Sequence, residues 1–274
     1  MAVEFSRNIT FGQYLNLGSP VHRLDPRAKT LAVGALMVAV FQAQLFIAFV
    51  PLLVVAALVL WVARIPLGYT LRGMRLLIGT TLVFVVFQIL FFPNPDPAST
   101  YWRWGILSLS WQGLGLGLLT LGRVMLLYFL VSTLMFTTAL MDLADGFEVM
   151  LSPLKRLRVP VNELVMTMVV ALKFVPLLVA ELERLIKARA ARGAGTEEGG
   201  LVGRARQLSG LLVPLFVSAF ARAELLIVAM NARCYRGGQG RTRRRVLSFR
   251  RADLLAMGLA ALALAAVVGI ESAF

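Results

Sequence analysis

The chain has 274 residues, of which 59% are hydrophobic and 15% are charged, and its mean hydropathy is +0.80. Soluble domains are about 45–50% apolar and about 25% charged, so this composition excludes an ordinary soluble globule and indicates a protein embedded in a bilayer. The net charge of +14 is concentrated in residues 141–251, which hold 19 Lys/Arg and 9 Asp/Glu, and this asymmetry favours a cytoplasmic segment of a membrane protein over nucleic-acid binding.

The N-terminal segment, residues 1–29, has no continuous apolar run and no small-residue cleavage pattern, so we expect a cytoplasmic segment rather than a cleaved signal peptide. Residues 30–63 then carry no formal charge. One helix of that length would measure about 50 Å against a hydrocarbon core of roughly 30 Å. We therefore expect two short spans that turn between Gln44 and Pro51, the first of which serves as the insertion signal.

Two further spans are predicted before residue 141. A third span covers residues 76–92, and a fourth lies within residues 113–140. Between them, residues 92–112 hold three prolines together with one tyrosine and three tryptophans. Prolines break helices and tryptophans prefer the membrane–water interface, so we expect an external loop there.

Arg123 stands inside the fourth apolar run, where a central charge costs roughly 2.5–3.5 kcal/mol. One interpretation is a buried ion pair or a substrate contact. The other, which we favour, is that the glycine-rich residues 113–122 lie at the interface and that the arginine reaches into it.

Segment 141–251 is too charged for a bundle of spans, yet it contains two long helical patterns. Residues 162–192 carry apolar side chains at spacings of three and four, and their charges appear only toward the end. Residues 201–235 repeat this layout. A final span is predicted within residues 254–270, which places the N-terminus inside and the C-terminus outside.

The two long helices share a middle and an end. Each has a Val-Pro-Leu triplet, and its proline (Pro176 or Pro214) is expected to kink the helix. Each ends in an Ala-Arg pair followed by a small residue. Arginine is favoured at a helix C-terminus, so these ends are either well-capped helices or docking points that enter a groove on a partner protein. The residues of the two ends are Ala191, Arg192, Gly193, Ala232, Arg233 and Cys234.

Other classes of function find less support. No Gly-Lys pair exists, which excludes a phosphate-binding loop for ATP. Asp142, Asp145 and Glu148 fit an interfacial cap better than a catalytic group. A self-sufficient channel or secondary transporter remains the alternative, although it would need more ionisable residues within its spans than Arg123. The arginine-rich residues 241–245 are expected to attract anionic lipid of the inner leaflet.

Several motifs carry a resemblance to a known family. They are GSPVHRLDPRAK at 18–29, SPL at 152–154, ALKFVP at 171–176, ARG at 191–193 and ARCYRGG at 232–238. Together they resemble the transmembrane T component of energy-coupling factor transporters, a family that includes cobalt-transporter permease subunits. The resemblance covers nearly the whole chain, and two Ala-Arg motifs on paired helices make it specific.

The resemblance implies an all-α polytopic membrane protein of the cell membrane with about five transmembrane helices. Residues 1–29 would form a cytoplasmic segment, 30–140 spans one to four, 141–251 a cytoplasmic helical coupling domain and 252–274 the last span. The chain would be no enzyme and hold no cofactor or metal. Two ATPase subunits of the ABC type would bind ATP and Mg²⁺, and a membrane-embedded substrate-binding S component would capture a vitamin or a transition-metal ion.

The resemblance also assigns ATPase docking to residues 191–193 and 232–234, with the arginines Arg192 and Arg233 entering grooves on the two ATPases. The chain departs from the family at Cys234, where glycine is usual. Cysteine disfavours a positive φ. This departure predicts that the helix stop shifts to Gly237 and Gly238.

Overall fold

The computed structural model describes residues 18–65, 67–91, 100–104, 107–157, 159–192, 201–237 and 248–273. The predicted all-α class is confirmed, with one short β-hairpin as an addition to it. In chain order the elements are α1 (Pro26–Gln42), α2 (Phe49–Ala63), α3 (Leu67–Leu90), β1 (Thr100–Trp104), β2 (Leu107–Ser110), α4 (Trp111–Thr137), α5 (Leu140–Met150), α6 (Val161–Ala191), α7 (Leu201–Ala232) and α8 (Arg251–Ala273).

The helices fall into two compact units. The bundle unit comprises the described residues from 18 to 146 and from 248 to 273, and it contains α1 to α4, α8 and the first half of α5. The paired-helix unit comprises the described residues from 147 to 237 and contains α6 and α7.

The predicted division of residues 30–63 into two helices is confirmed, and within the described residues the second of them, α2, is long and apolar enough to be a membrane span. That α1 spans the membrane as well stays a prediction. Helices α1 and α2 are separated by a turn that includes the 3-10 helix Phe46–Ala48. Helix α1 begins where expected because Asp25 caps it: the Asp25 side chain accepts a hydrogen bond from the Arg27 N–H, and Pro26 occupies the first turn. With 17 residues, α1 is about 25 Å long.

Six helices of the described residues are long and apolar enough to cross a membrane, which establishes a multi-pass membrane protein. Four of them, α2, α3, α4 and α8, coincide with predicted spans. The other two are α6 and α7, which lie in the charged segment. By length and composition these two qualify as spans as well.

The core of the bundle unit lies between α1, α2, α4 and α8. Its buried side chains include Val40, Leu52 and Leu126. Helix α1 packs more extensively against α8 than any other two helices of the described chain do. Ala39 and Ala263 are both buried in this core. Small side chains such as these let two helices approach closely, which matters in a bilayer because lipid offers no hydrophobic driving force for helix association.

Carboxylates hold both ends of α8 against α1. Asp253, which is fully buried, accepts a hydrogen bond of 2.7 Å from the Asp25 N–H. At the other end, Glu271 accepts bonds of 2.6 and 2.9 Å from the N–H groups of Gln44 and Leu45. The start of α8 therefore lies beside the start of α1, and the two ends also lie side by side. The two helices thus run parallel. Parallel first and last spans are what an inside N-terminus and an outside C-terminus require.

Lys29 is buried in the first turn of α1, where its side chain is tied to the end of α4. Its ammonium group donates hydrogen bonds to the Thr137 carbonyl at 2.9 Å and to the Thr138 hydroxyl at 3.3 Å. In the sequence, Lys29 is recognisable only as the last charged residue before an apolar run. The structure shows that it satisfies a carbonyl at a helix C-terminus, which is a favourable place for a cation.

A β-hairpin occupies part of the segment that we predict as a loop. Strands β1 and β2 pair antiparallel, with Trp102 opposite Leu109 and Trp104 opposite Leu107. Residues 92–99, which hold the three prolines, lie outside the described residues. The hairpin leads directly into α4, whose N-terminus is capped by a hydrogen bond of 3.1 Å from the Gly113 N–H to the Ser110 hydroxyl.

Arg123 contacts the turn between α1 and α2. Its guanidinium group donates a hydrogen bond of 2.6 Å to the Ala43 carbonyl, directly after the last residue of α1. The contact places Arg123 beside the C-terminal end of α1, and its position at the membrane interface stays a prediction. The guanidinium group also caps a helix C-terminus, a role that neither interpretation includes.

Candidate docking site

Helices α6 and α7 run antiparallel beside each other. At one end, the guanidinium group of Arg189 lies over Gly210, where an added Cβ atom would come within 3.0 Å of it. At the other end, Gly237 lies close to Glu163, since a Cβ atom there would be 3.8 Å from the carboxylate. The end of each helix therefore lies beside the start of the other.

An ion pair joins the middles of the two helices. Arg222 of α7 lies 2.7 Å from the carboxylate of Glu181 in α6, and Arg184 approaches the same carboxylate at 3.8 Å. The Glu181 side chain is 20% exposed and that of Arg222 is 33% exposed. This contact at the centre, together with the close approaches at both ends, aligns the pair along its length.

The end of α6 is exposed. The helix stops at Ala191, and the N–H of the exposed Arg192 donates a hydrogen bond of 3.0 Å to the Arg189 carbonyl. Gly193, the small residue that follows the Ala-Arg pair, lies outside the described residues. The predicted helix end at Arg192 is therefore one residue from the observed end.

The end of α7 corrects our expectation about Cys234. The helix stops at Ala232, and Cys234 itself has a φ of 55°. The Cys234 N–H donates to the Asn231 carbonyl at 2.9 Å, and the next N–H donates to the Met230 carbonyl at 3.1 Å. These are the two bonds of a Schellman cap, in which a left-handed residue follows the helix.

The helix stop therefore stays at Cys234, as it would with glycine, and the prediction of a shift to Gly237 and Gly238 is wrong. Two hydrogen bonds of about 0.5–1.5 kcal/mol each offset a left-handed conformation that costs roughly 1–2 kcal/mol. Gly237 also has a positive φ, of 83°, but it lies beyond the stop. Arg233 and Cys234 are both exposed.

The two arginine tips, Arg192 and Arg233, lie at opposite ends of the helix pair. Glu163, near the Arg233 end, precedes Arg192 by 29 residues of nearly continuous α-helix. At 1.5 Å per residue this separation is about 44 Å. Tips this far apart cannot enter one and the same groove.

Much of the surface of the helix pair between the tips is apolar and exposed. None of the α7 side chains from Ser209 to Ala232 is buried, and Phe216 and Phe220 stack on its surface with ring centroids 6.5 Å apart. Exposed apolar surface of this extent indicates a membrane or a protein partner. Pro176 and Pro214 lie within helices that continue through them, and the expected kinks stay a prediction.

A family model described as cobalt transport protein, CbiQ, matches residues 18–244 of the chain. The match includes the N-terminal segment, the bundle helices before α8 and both arginine tips.

Curated proteins of several bacteria are similar over nearly the full length. A protein named "Energy-coupling factor transporter transmembrane protein EcfT" from Heliobacterium modesticaldum is 42% identical over 88% of this chain and 89% of its own. Proteins of the same name are 41% identical in Thermosediminibacter oceani, over 98% and 99% of the two chains. In Thermanaerovibrio acidaminovorans the identity is 39% over 99% of both chains.

Proposed function

Because this chain belongs to the EcfT family of energy-coupling factor transporter transmembrane proteins, within the cobalt transport family CbiQ, we propose that it couples two ATPase subunits to a separate substrate-binding subunit. In this role the chain transmits motion and carries out no chemistry itself. ATP and Mg²⁺ bind to the partner ATPases. The transported substrate, a vitamin or a transition-metal ion, is selected by the substrate-binding subunit.

The observation that carries this proposal is the pair of exposed arginines at opposite ends of one helix pair. Each tip enters a groove on one ATPase and meets a carboxylate there. Their separation of about 44 Å fits two subunits rather than one. When ATP binding draws the ATPases together, the two points of attachment move, and helices transmit the displacement because they are rigid elements.

The exposed apolar surface of α6 and α7 supports the second half of the proposal. Such a surface is unstable in water, so it faces the bilayer or a hydrophobic partner. We assign it to the membrane-embedded substrate-binding subunit. The charged tips remain at the cytoplasmic surface of the cell membrane, where the ATPases act.

The test is a co-purification experiment with the ATPase subunits from the same source. We expect Arg192→Ala with Arg233→Ala to abolish stable association, because truncating one partner of a desolvated ion pair costs about 2–5 kcal/mol, or roughly 30-fold or more in affinity for each tip. The readouts are the amount of ATPase retained and the ATP hydrolysis of the reconstituted complex. Membrane insertion of the variant remains normal.

The matched control removes the same charge from the same unit without touching the tips. Arg184→Ala with Lys187→Ala changes two exposed cations of α6, and we expect it to retain the ATPases. Equal retention by both double variants would mean that the tips are merely capped helix ends. A chain that purifies alone and transports substrate in liposomes would favour the alternative, a self-sufficient secondary transporter or channel.

A further inference from the structure

Two adjoining cavities open at one end of the bundle unit. The first, the arginine cavity, has a volume of about 340 Å³, and Arg23, Arg64 and Arg250 are among its lining residues. The second, the apolar groove, has a volume of about 540 Å³ and runs between helices of the core. The cavities are neighbours, because Pro20, Leu24 and Ala252 line both of them.

The arginine cavity is electropositive. Its three arginines come from three places in the chain: the turn before α1, the C-terminus of α2 and the residue before α8. Within the described residues, none of the three forms an ion pair shorter than 4.0 Å. Guanidinium groups that form no ion pair favour a ligand with oxygen anions, above all a phosphate, which they bind in a bidentate manner.

The one carboxylate that lines the arginine cavity is already engaged. Asp253 accepts hydrogen bonds from the Asp25 N–H at 2.7 Å and from the Arg250 N–H at 2.6 Å. Both of its oxygens thus bind backbone amides, one at the start of α1 and one at the start of α8. Asp253 holds Arg250 at the cavity by its backbone and leaves the guanidinium group to the ligand.

The apolar groove has the chemistry of an acyl-chain site. Among the described residues, Lys29 is the only charged one that lines it, and the Lys29 ammonium is hydrogen-bonded to the end of α4. The other lining residues are mostly leucine, valine and alanine from α1, α2, α4 and α8. Along α8 the groove extends from Ala252 to Ala263, a rise of about 17 Å. One leaflet of a bilayer has a hydrocarbon depth of roughly 15 Å.

We propose that the two cavities together bind an anionic phospholipid from the leaflet on the arginine side. Its phosphate lies among Arg23, Arg64 and Arg250, and one acyl chain fills the groove. A free phosphate would leave the groove empty, and a lipid without net charge would leave the cluster of cations uncompensated. The bound lipid joins the segment before α1, the end of α2 and the start of α8, which are otherwise held together against the repulsion of three like charges.

The first test uses the full-length chain purified in an uncharged detergent. We expect native mass spectrometry to retain one phosphatidylglycerol per chain, and we expect this lipid to raise the thermal midpoint. Phosphatidylcholine and inorganic phosphate, each added alone, are expected to do neither. Stabilisation by phosphatidylcholine to the same extent would overturn the role of the arginines. Stabilisation by inorganic phosphate alone would overturn the role of the groove.

The second test uses variants that keep the fold. Arg64 has a left-handed backbone with a φ of 56°, so Arg64→Asn removes the charge with a residue that tolerates this conformation. We expect it to weaken phosphatidylglycerol binding about fivefold. Ala256→Trp fills the groove while keeping all three arginines, and it should prevent retention of the lipid.

The control for charge is Arg184→Asn, which removes one exposed cation from the paired-helix unit. We expect its affinity for phosphatidylglycerol to equal that of the unmodified chain. If Arg64→Asn and Ala256→Trp both bind phosphatidylglycerol as the unmodified chain does, the proposed site is wrong. Circular dichroism of each variant confirms that a loss of lipid is not a loss of fold.

Discussion

Two residues other than glycine, Arg64 and Cys234, have a left-handed backbone within the described part of the chain; Arg64 directly follows α2, and Cys234 lies two positions after the last residue of α7. A sequence pattern assigns such positions to glycine, which adopts positive φ without strain. At Cys234 the two hydrogen bonds of the cap decide the conformation instead. Conformational propensity alone therefore predicts the wrong helix end, because the hydrogen bonds of the cap form only when the last turn of the helix is in place.

The Cys234 cap predicts an ordered series of stabilities. Cys234→Gly removes the left-handed strain and should stabilise the chain by up to about 1 kcal/mol, whereas Cys234→Val, with its branched Cβ, should destabilise it by about 1 kcal/mol or more. Thermal unfolding followed by circular dichroism measures both changes, and Cys234→Ala serves as the reference. Equal thermal midpoints for the glycine and valine variants would show that the cap does not carry this strain.

Two acidic residues at the ends of α8 form hydrogen bonds with distant backbone amides, and no sequence pattern predicts these partners. Asp253 binds a backbone amide 228 positions earlier, and Glu271 binds one 227 positions earlier. The sequence marks both only as charges at the borders of the last apolar run. A buried carboxylate is stable when it accepts charge-assisted hydrogen bonds, and these partners become available only when α8 packs beside α1.

At the scale of elements, several helix boundaries follow from local pattern, whereas helix contacts do not. The third predicted span is an exception, because α3 begins at Leu67, nine residues before the predicted start at residue 76. The predicted ends at Gln44, Arg192 and residue 113 fall within two residues of the observed boundaries of α1, α6 and α4. The glycines of α4 illustrate what remains hidden. All of them look alike in the sequence, yet a Cβ at Gly117 would lie 3.0 Å from side-chain atoms of Val85 and Ile89, whereas one at Gly115 would meet nothing within 4 Å.

These two glycines predict opposite effects of the same substitution. Gly115→Ala should stabilise the chain by about 0.5–1 kcal/mol, because alanine is the better helix former. Gly117→Ala should destabilise the chain, because overpacking where α4 meets α3 costs about 1–3 kcal/mol, more than the gain in helix propensity. Thermal midpoints of the two variants in detergent make the comparison, with Gly115→Ala as the internal control. A Gly117→Ala variant as stable as Gly115→Ala would mean that α3 moves aside freely.

At the scale of the whole molecule, orientation follows from the parallel arrangement of α1 and α8. Helices α2, α3 and α4 supply three crossings between them, which return the chain to the side where it began. Because α6 and α7 are antiparallel, they cross the membrane either not at all or twice, and in both cases the chain returns to the side on which α6 began. In both cases α8 begins on the same side as α1, and the basic residues of the charged segment favour the cytoplasm for that side.

The single cysteine makes this orientation directly measurable. Cys234 is exposed, so a membrane-impermeant maleimide should label the unmodified chain in inside-out vesicles and leave it unlabelled in intact cells. A Cys234→Ala chain that carries Gln44→Cys in the α1–α2 turn should show the reverse pattern, and Cys234→Ala alone should never react. Labelling of Cys234 in intact cells would invert the proposed topology.

The sequence alone determined the membrane class, the long helices, the position of both arginine tips and the family. These features depend on composition, on the spacing of apolar residues and on short motifs. Helices in particular can be predicted from local sequence because their hydrogen bonds join residues only four positions apart. The tertiary structure decided that α1 and α8 are parallel and that the tips point to opposite ends of one pair. It also assembled one cavity from arginines at positions 23, 64 and 250. Such contacts depend on which helix faces pack together, and small buried residues and charges at helix ends control that choice across more than 200 residues of chain.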